Sequence, residues 1–397
     1  MQTFTLTFMG FRHLFLLFLL TIVLLPGGFA RAAQASSQDQ SKSAIPVLPK
    51  VDLGIRLALE VPIAPTPVPI GDHVELVYEL HLSSYDDRRL ILKRVEILAN
   101  NRQDALATFE NESLTRILGT GEPDSELAAH SIAPRSHIVL YLWIPAHPGT
   151  IASRLSHRLT LDTGSKQETI EGGTVGILAG PPLTIAPPLH GGYWVATNSG
   201  NDTLHRRLII TPEYKPIIGT RFATDWCKRG ANGSINREHT PLQNDDFYCY
   251  GEQVLAVADA TVASLVDGIP DNQPGILPPD SNLRTITGNR VILALGGNAF
   301  AIYAHLQPGS IRVKQGQRVH RGEPLALVGN SGLSDAPHLH FQVANADGIA
   351  GEGLPYVLED YTSFGVSVPD KPVDVSQRHL VHKRFPETDE VVSFISK

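Results

Sequence analysis

Hydrophobic and polar residues alternate along much of the chain, in its first half as in its second. Four runs between about residues 51 and 180 fit strands with one buried face: VELVYELHL, LILKRVEIL, HIVLYLWI and HRLTLDTG. The Pro-rich run PIAPTPVPIGD connects two of these segments and cannot sit in a central strand. Short strands at regular spacing, with few helical periods, predict a β-sandwich of immunoglobulin-like type over residues 51–180.

The second half continues the alternation and extends the prediction to an all-β protein. A Pro- and Gly-rich linker at residues 181–192 separates the two halves. Alternating runs then follow, including EQVLAVADATVASLVDG, NRVILALGGNAFAIYAHL, EPLALVGNSG and HLHFQV. We assign residues 193–365 to a second β domain. The less patterned residues 366–397 form a C-terminal tail that either returns to a sheet or stays loose.

One of these runs predicts a hairpin that carries a histidine. Gly296, Gly297 and Asn298 mark its turn, because these residue types accept the backbone angles of tight hairpins. Simple alternation then puts Ala304 on one face of the second strand and His305 on the other.

The first 35 residues have the pattern of a secretory signal peptide. A short basic stretch precedes the apolar run LFLLFLLTIVLL, and small residues suited to signal peptidase follow. This run is shorter than the about 20 residues of a membrane span, which ranks cleavage ahead of a retained anchor. The Ser/Gln/Lys-rich residues 36–50 are expected to form a flexible tether. The sequence thus predicts a protein exported to the periplasm or cell envelope, with no stable membrane span after cleavage.

The net charge bears on the class of binding partner, and the cysteine content bears on whether the chain contains a disulfide. The formal net charge is −7 and no basic block stands out, which argues against nucleic acid as a partner. The only two cysteines are Cys227 and Cys249. In an oxidising compartment they are expected to form a disulfide rather than a zinc site, because their spacing fits no cysteine-pair zinc motif.

Candidate chemistry begins with DAPHLHFQV, residues 335–343. His338 and His340 are two residues apart, so on a strand they share one face. Two imidazoles on one face can hold a metal, or one can hold it while the other does acid–base work. An isolated His-x-His is more often a solvent-facing strand, and the other motifs must decide between these interpretations.

Several spaced motifs of the second half together resemble the lysostaphin/LytM-type zinc metallopeptidases. That family has a Tyr-Ala-His-Leu-like strand end, a glycine-punctuated segment and a Pro-His-Leu-His-Phe run. Here they read YAHLQPGS, VKQGQRVHRGEPLALVGNSG and PHLHFQV, and an upstream motif reads GEQVLAVADATV with Ala260 where glycine is usual. The resemblance covers residues 205 to about 358. It implies a LytM-type antiparallel β-sheet peptidase domain in residues 193–365 and does not reach the sandwich.

The resemblance also implies a zinc ion and roles for individual residues. Carried over, Asp225 and His340 are zinc ligands, and His305 and His338 are the two catalytic histidines that do not bind the metal. Three nitrogen or oxygen ligands with an open fourth position suit catalytic zinc.

The first zinc ligand departs from the family pattern. Where the family has histidine, four residues before its aspartate, this chain has Arg221, which cannot bind zinc. His205, expected on a neighbouring antiparallel strand, is the preferred substitute, and His239 in a polar loop is the other candidate. Asp245 and Asp246 are weaker alternatives for the carboxylate ligand, and their simpler interpretation is a solvated loop.

The activity implied by the resemblance is that of an exported zinc metalloendopeptidase. It would hydrolyse peptide bonds of bacterial cell-wall peptidoglycan through a zinc-bound hydroxide, with peptidoglycan peptides as its substrate. The sandwich carries no chemical constellation and is assigned a spacer or docking role for a partner.

Two rival interpretations stay open at the level of sequence. The first is a catalytically incomplete module that regulates or activates a separate cell-wall hydrolase, which Arg221 favours. The second is a metal-binding protein in which every histidine of the cluster is a ligand. The features that favour the enzyme are four retained residues: Asp225, His305, His338 and His340.

Overall fold

β-Strands make up most of the fold, as the alternating sequence predicts. A computed structural model describes residues 53–100, 102–118, 130–146, 152–200, 204–230, 232–368 and 371–394. The predicted signal peptide (1–35) and tether (36–50) lie outside the described residues. None of the described helices has the length and apolar character needed to cross a bilayer.

The first region consists of two antiparallel sheets. Its strands are β1 (Leu57–Glu60), β2 (Pro67–Ile70), β3 (His73–Ser84), β4 (Leu90–Ala99), β5 (Ala105–Glu110), β6 (Ser131–Ile132), β7 (His137–Ala146), β8 (Arg154–Asp162) and β9 (Gln167–Gly176). In one sheet β3 pairs with β1, β2 and β7, and in the other β4 pairs with β5, β6 and β8, which pairs with β9. A short helix, α1 (Asn111–Leu118), follows β5. Strands therefore occur where alternation predicts them, and the immunoglobulin-like topology stays a prediction.

One hydrophobic cluster lies between these two sheets. Leu80 of β3 and Leu140 of β7 pack in the same cluster as Val95 of β4 and Leu159 of β8. The Pro-rich run contributes β2, which lies along the edge of its sheet, where a missing N–H costs least.

The second region is built on one large sheet. Its strands are β10 (Leu183–Ile185), β11 (Gly191–Thr197), β12 (Thr224–Lys228), β13 (Gln253–Leu255), β14 (Ala260–Val266), β15 (Asn289–Gly296), β16 (Ala299–Leu306), β17 (Arg318–Val319), β18 (Pro324–Leu327), β19 (Leu339–Ala344), β20 (Tyr356–Val366), β21 (His379–Arg384) and β22 (Glu390–Phe394). The large sheet runs in the order β10-β20-β22-β11-β12-β19-β16-β15-β14-β17, with β21 beside β20, while β13 and β18 pair separately. Its helical segments are α2 (Leu204–Arg207) and 3₁₀ turns at Pro212–Tyr214, Asn244–Asp246 and Val375–Gln377.

Four strands at the centre of this sheet matter for the site: β12, β19, β16 and β15, in that order. Their core face is filled by large side chains, and Trp226, Tyr303 and Phe341 are fully buried there. The tail beyond Gly365 returns to the sheet, because β21 and β22 both pair with β20.

The cysteines do not form the expected disulfide. Cys227 and Cys249 are both free thiols, and the Cys249 thiol donates to the carbonyl oxygen of Pro337 at 3.0 Å. Burial raises the pKa of Cys249 to about 12, which keeps this thiol protonated.

Candidate metal centre

Two neighbouring strands bring a carboxylate and an imidazole together at the middle of the large sheet. Asp225 of β12 lies directly opposite His340 of β19, and Ala304 of β16 lies opposite His340 on the other side. Directly opposed residues of antiparallel strands point to the same face. The side chains of Asp225 and His340 therefore meet, with 2.9 Å between Asp225 Oδ1 and His340 Nδ1.

A β-bulge delivers His305 to this face, and the simple alternation expected for its strand is wrong at this residue. Asn289 pairs with Leu306 but Val291 pairs with Tyr303, so β16 contains one extra residue here. His305 takes a positive φ of 59°, which is uncommon for a residue with a side chain. The bulge turns its ring away from the Tyr303 side, to 5.7 Å from the His340 ring and 4.8 Å from the His338 ring between centroids.

His205 arrives from a helical turn and not from a neighbouring strand as expected. It lies in α2, and the strand beside β12 is β11 instead. Consecutive side chains of a helix point about 100° apart. His205 can therefore face the site while Arg206 faces the first region, where its Nη2 donates to the carbonyl oxygens of Tyr78 and Leu142.

Three side chains form a group that could hold a metal ion. The candidate ligand atoms of His205, Asp225 and His340 all lie within 4.8 Å of one another. The distance from His205 Nε2 to Asp225 Oδ2 is 3.3 Å. His338 is adjacent, with its Nε2 at 3.5 Å from Asp225 Oδ1.

The outer hydrogen bonds of the two rings determine which of their nitrogens faces Asp225. Nδ1 of His205 lies 3.2 Å from the carbonyl oxygen of Asn198, and Nε2 of His340 lies 2.7 Å from Gln342 Oε1. Because these oxygens only accept, each ring places its N–H there and turns the other nitrogen's lone pair towards Asp225. Lone pairs facing a carboxylate are favourable only with a proton or metal ion between them. The donor set of two imidazoles and one carboxylate fits zinc.

Burial and mutual attraction shift the pKa values of this cluster. Burial lowers the pKa of His205 to about 4, against the attraction of Asp225. Burial, reinforced by the other imidazoles, also lowers the pKa of His305 well below its usual value. Burial opposes ionisation of Asp225, but His338, His205 and His340 together hold its pKa well below the usual range. A neutral imidazole beside an ionised carboxylate is the form that binds a metal.

Arg221, at the position where the resemblance implies a histidine ligand, has carboxylate partners instead. It is buried, and its guanidinium donates to Glu79 of β3, with Nη2 at 2.7 Å from Oε2, and pairs with Glu352 at 3.1 Å. Glu79 also attracts Arg206, whose Nε lies 3.9 Å away. A buried ion cluster thus joins the first region to the segments on both sides of the candidate metal centre.

The other sequence candidates do not join the cluster. His239 is exposed and pairs with Asp246, whose other oxygen accepts the backbone N–H of Gln243. Asp245 and Asp246 belong to the 3₁₀ turn after that loop. Among the described residues, none of the three lines the cavity beside the metal group.

Two residues that sequence reasoning missed support the cluster. Gln342 bridges His340 to the backbone, because its Nε2 donates to the carbonyl oxygen of Gly219 at 2.9 Å. Asn198 donates from Nδ2 to Asp225 Oδ2 at 2.8 Å. Gln342 was detectable, since it stands two residues after His340 and therefore shares its face; no comparable signal marks Asn198.

An open cavity of about 420 Å³ lies over the cluster. His205, Asp225, His305, His338 and His340 all line it, and the rest of its wall is largely apolar. Substrate-sized space next to a polar cluster is the arrangement of a binding site.

Comparison with known proteins agrees with this geometry. Residues 245–350 match the model of peptidase family M23, so the chain carries a peptidase family M23 domain. His305, His338 and His340 lie inside the matched residues, whereas His205 and Asp225 lie upstream of them. The β-rich second region agrees with the all-β, LytM-type fold class.

Curated relatives match short segments. One, named an uncharacterized metalloprotease, from Haemophilus influenzae, is 35% identical over 80 residues, 19% of this chain and 16% of the relative. The peptidoglycan DD-endopeptidase ShyA of Vibrio cholerae is 41% identical over 56 residues, 14% of this chain and 13% of the relative. The chain thus spans less than a fifth of either relative.

Solved structures show only distant likeness. The lysostaphin catalytic domain from Staphylococcus simulans is 22% identical with a TM-score of 0.19, covering 30% of this chain and 86% of that domain. A zinc-containing peptidase from Vibrio cholerae is 15% identical with a TM-score of 0.22, covering 74% of this chain and 83% of the other. The family assignment therefore rests on the sequence match.

Proposed function

We propose that this chain is an exported zinc metalloendopeptidase that hydrolyses peptide bonds in bacterial cell-wall peptidoglycan. The observation that carries the proposal is the convergence of Asp225, His205 and His340 at the floor of an open cavity. The M23 domain and the endopeptidase named among the relatives supply the reaction class and substrate. The predicted signal peptide supplies the location.

His205, Asp225 and His340 would hold the metal. When bound, zinc supplies Lewis-acid activation of water and of the scissile carbonyl. The chain's own part is to position these ligands: Asn198 and Gln342 fix the two imidazole rings, and the strand register of Asp225 fixes the carboxylate.

His305 and His338 would act on the reacting groups without binding the metal. Nδ1 of His305 lies 2.7 Å from the carbonyl oxygen of Ser331, and Nδ1 of His338 lies 2.8 Å from that of Ala336. Each ring therefore carries its proton on Nδ1 and leaves Nε2 free to orient water and move a proton. A ring that has accepted the proton of the water on Nε2 would then donate it in a hydrogen bond to the negative charge of a tetrahedral intermediate.

Metal analysis of the full mature chain tests the proposal. We expect about one zinc per chain, lost in His340→Ala, and release of soluble fragments from purified sacculi that stops with it. His305→Ala should keep zinc and lose release. Zinc-loaded protein that releases nothing from sacculi would contradict the proposal.

A regulatory module without hydrolytic activity is the alternative, and Arg221 is the observation that favours it. Arg221 stands where the family has a ligand, and Glu79 and Glu352 neutralise it instead. If wild-type protein binds no zinc but increases release by a separate purified cell-wall amidase, this alternative replaces the enzyme.

A further inference from the structure

A cation stands in the wall of the cavity, across the sheet from the metal group. Gln342, Ile302 and Ile292 oppose one another on β19, β16 and β15, so they point to one face with His340. Arg290 precedes Ile292 by two residues and shares that face. Two strand spacings separate β15 from β19, which places Arg290 about 10 Å from His340 at the backbone.

The guanidinium of Arg290 is only partly engaged. It is half-buried, and its Nη1 donates to Thr287 Oγ1 at 3.1 Å and lies 3.5 Å from the carbonyl oxygen of Arg284. No carboxylate of the described residues lies within 4.0 Å of it, although Asp347 attracts it from farther away. Its remaining N–H groups stay available to the cavity that it lines.

The surroundings of Arg290 are apolar. Ile292 and Ile302 are buried and line the cavity on the same face of the sheet, and Leu277 and Leu333, which are exposed, line it as well. A planar guanidinium in such surroundings pairs best with a carboxylate, which it can bind through two parallel hydrogen bonds. About 10 Å corresponds to roughly three residues of extended chain.

We propose that Arg290 binds a free carboxylate of the peptide substrate, two to three residues from the scissile bond, and so selects acidic over amidated stem peptides. The proposal rests on the proposed function and names the substrate class of that same site. The carboxylate could be the peptide's C-terminus or an acidic side chain, and both carry the chemistry that Arg290 recognises.

Binding to the full chain stripped of zinc tests the proposal apart from catalysis. The probes are three forms of one stem peptide: unmodified, amidated at the C-terminus, and amidated at the side-chain carboxylate. Calorimetry should show that one of the amidated peptides binds at least about tenfold more weakly than the unmodified peptide. The position of its amide identifies the carboxylate that Arg290 binds. Arg290→Met should bind all three forms equally weakly, while Arg290→Lys keeps a smaller preference.

A matched variant removes the competing charge. Asp347→Asn should tighten binding of the unmodified peptide, because Asp347 is the acidic group that attracts Arg290. The affinity for the weakly bound amidated peptide should stay the same. Equal binding of all three peptides by wild type, or a preference that survives in Arg290→Met, overturns the proposal. Should Arg290→Met fail to fold, an undiminished preference in Arg290→Lys overturns it. Arg290-dependent binding without cleavage of any peptide by zinc-loaded protein would sink the proposed function alone.

Discussion

The two regions of this chain both bury histidines in β-sheets, but the nitrogens of those rings meet different partners. In the first region, His157 has Gly173 oxygen at 3.0 Å from Nδ1 and the Tyr78 hydroxyl at 3.0 Å from Nε2. One partner accepts and the other can donate, so the neutral ring is satisfied completely. In the second region, His340 faces the Asp225 carboxylate and the Gln342 amide oxygen, two acceptors.

This difference separates a structural histidine from a candidate metal ligand. A neutral imidazole has one N–H, so a ring between two acceptors needs a second positive charge, from a proton or a metal. Asp225 raises the pKa of His340 against the opposing effect of burial. Burial alone dominates at His157 and lowers its pKa to about 4. The partner types, more than the burial, distinguish the two sites.

The largest effect on stability is expected from a substitution in the buried ion cluster that connects the two regions. Glu79→Gln removes one of the two carboxylates that neutralise Arg221, and the same carboxylate attracts Arg206; the side chains of Glu79, Arg206 and Arg221 are all buried. Breaking one partner of a buried ion pair costs about 3–5 kcal/mol, because the other charge is left uncompensated. Urea unfolding of the full chain measures this loss.

The control is an ion pair in the same region that is exposed. Asp87→Asn removes a carboxylate that pairs with Arg56 and Arg135 at the surface, and it should change the urea midpoint far less. Because Arg206 adjoins His205, Glu79→Gln should also weaken zinc binding. Equal midpoints for the two variants would mean that the buried cluster does not join the regions.

The second prediction concerns acid stability and His157. Below pH 6.5 the unfolded chain takes up a proton here that the folded chain refuses until about pH 4. The free energy of unfolding should therefore decrease as the pH is lowered from 6.5 to about 4. This residue contributes up to about 3 kcal/mol of that decrease. His157→Gln should flatten the fall, measured by urea unfolding at several pH values in chelator.

Exposed His137 supplies the comparison for this experiment. His137→Gln should keep the wild-type slope of stability against pH, since this side chain lies at the surface and not in the buried site that His157 occupies. A wild-type slope in His157→Gln would refute the assignment of a neutral, satisfied ring.

The strands of both regions were predictable because alternation is a local property of the sequence. The pairing of His338 and His340 on one face was predictable for the same reason. The position of His305 was not, because the bulge that turns it depends on how β16 registers against β15. Alternation alone assigns it to the wrong face.

Long-range contacts explain the remaining differences. His205 was a candidate by residue type, but its helical turn is held by Arg206 contacts to carbonyl oxygens of β3 and β7, more than 60 residues away. The sequence shows that Arg221 stands where a metal ligand is expected. Its ion pair with Glu79 depends on packing between the two regions, which no local sequence pattern predicts. The prediction of a disulfide between Cys227 and Cys249 was wrong, because the number of cysteines in a sequence does not say how far apart they lie in the fold.

The smallest effect sharpens the distinction between the two kinds of histidine. Gln342→Ala removes the acceptor that holds the His340 N–H, together with the bond that anchors Gln342 to Gly219. Loss of such a supporting group weakens metal affinity about 10- to 100-fold, because the ring then samples other orientations. Competition with a zinc chelator measures this loss, and Gln315→Ala, at an exposed glutamine, provides the matched control.

His157→Gln should leave zinc affinity unchanged, since both ring nitrogens of His157 have hydrogen-bond partners within the first region. Equal zinc affinities for wild type and Gln342→Ala would show that His340 needs no support, and the difference drawn between the two rings would not extend to metal binding.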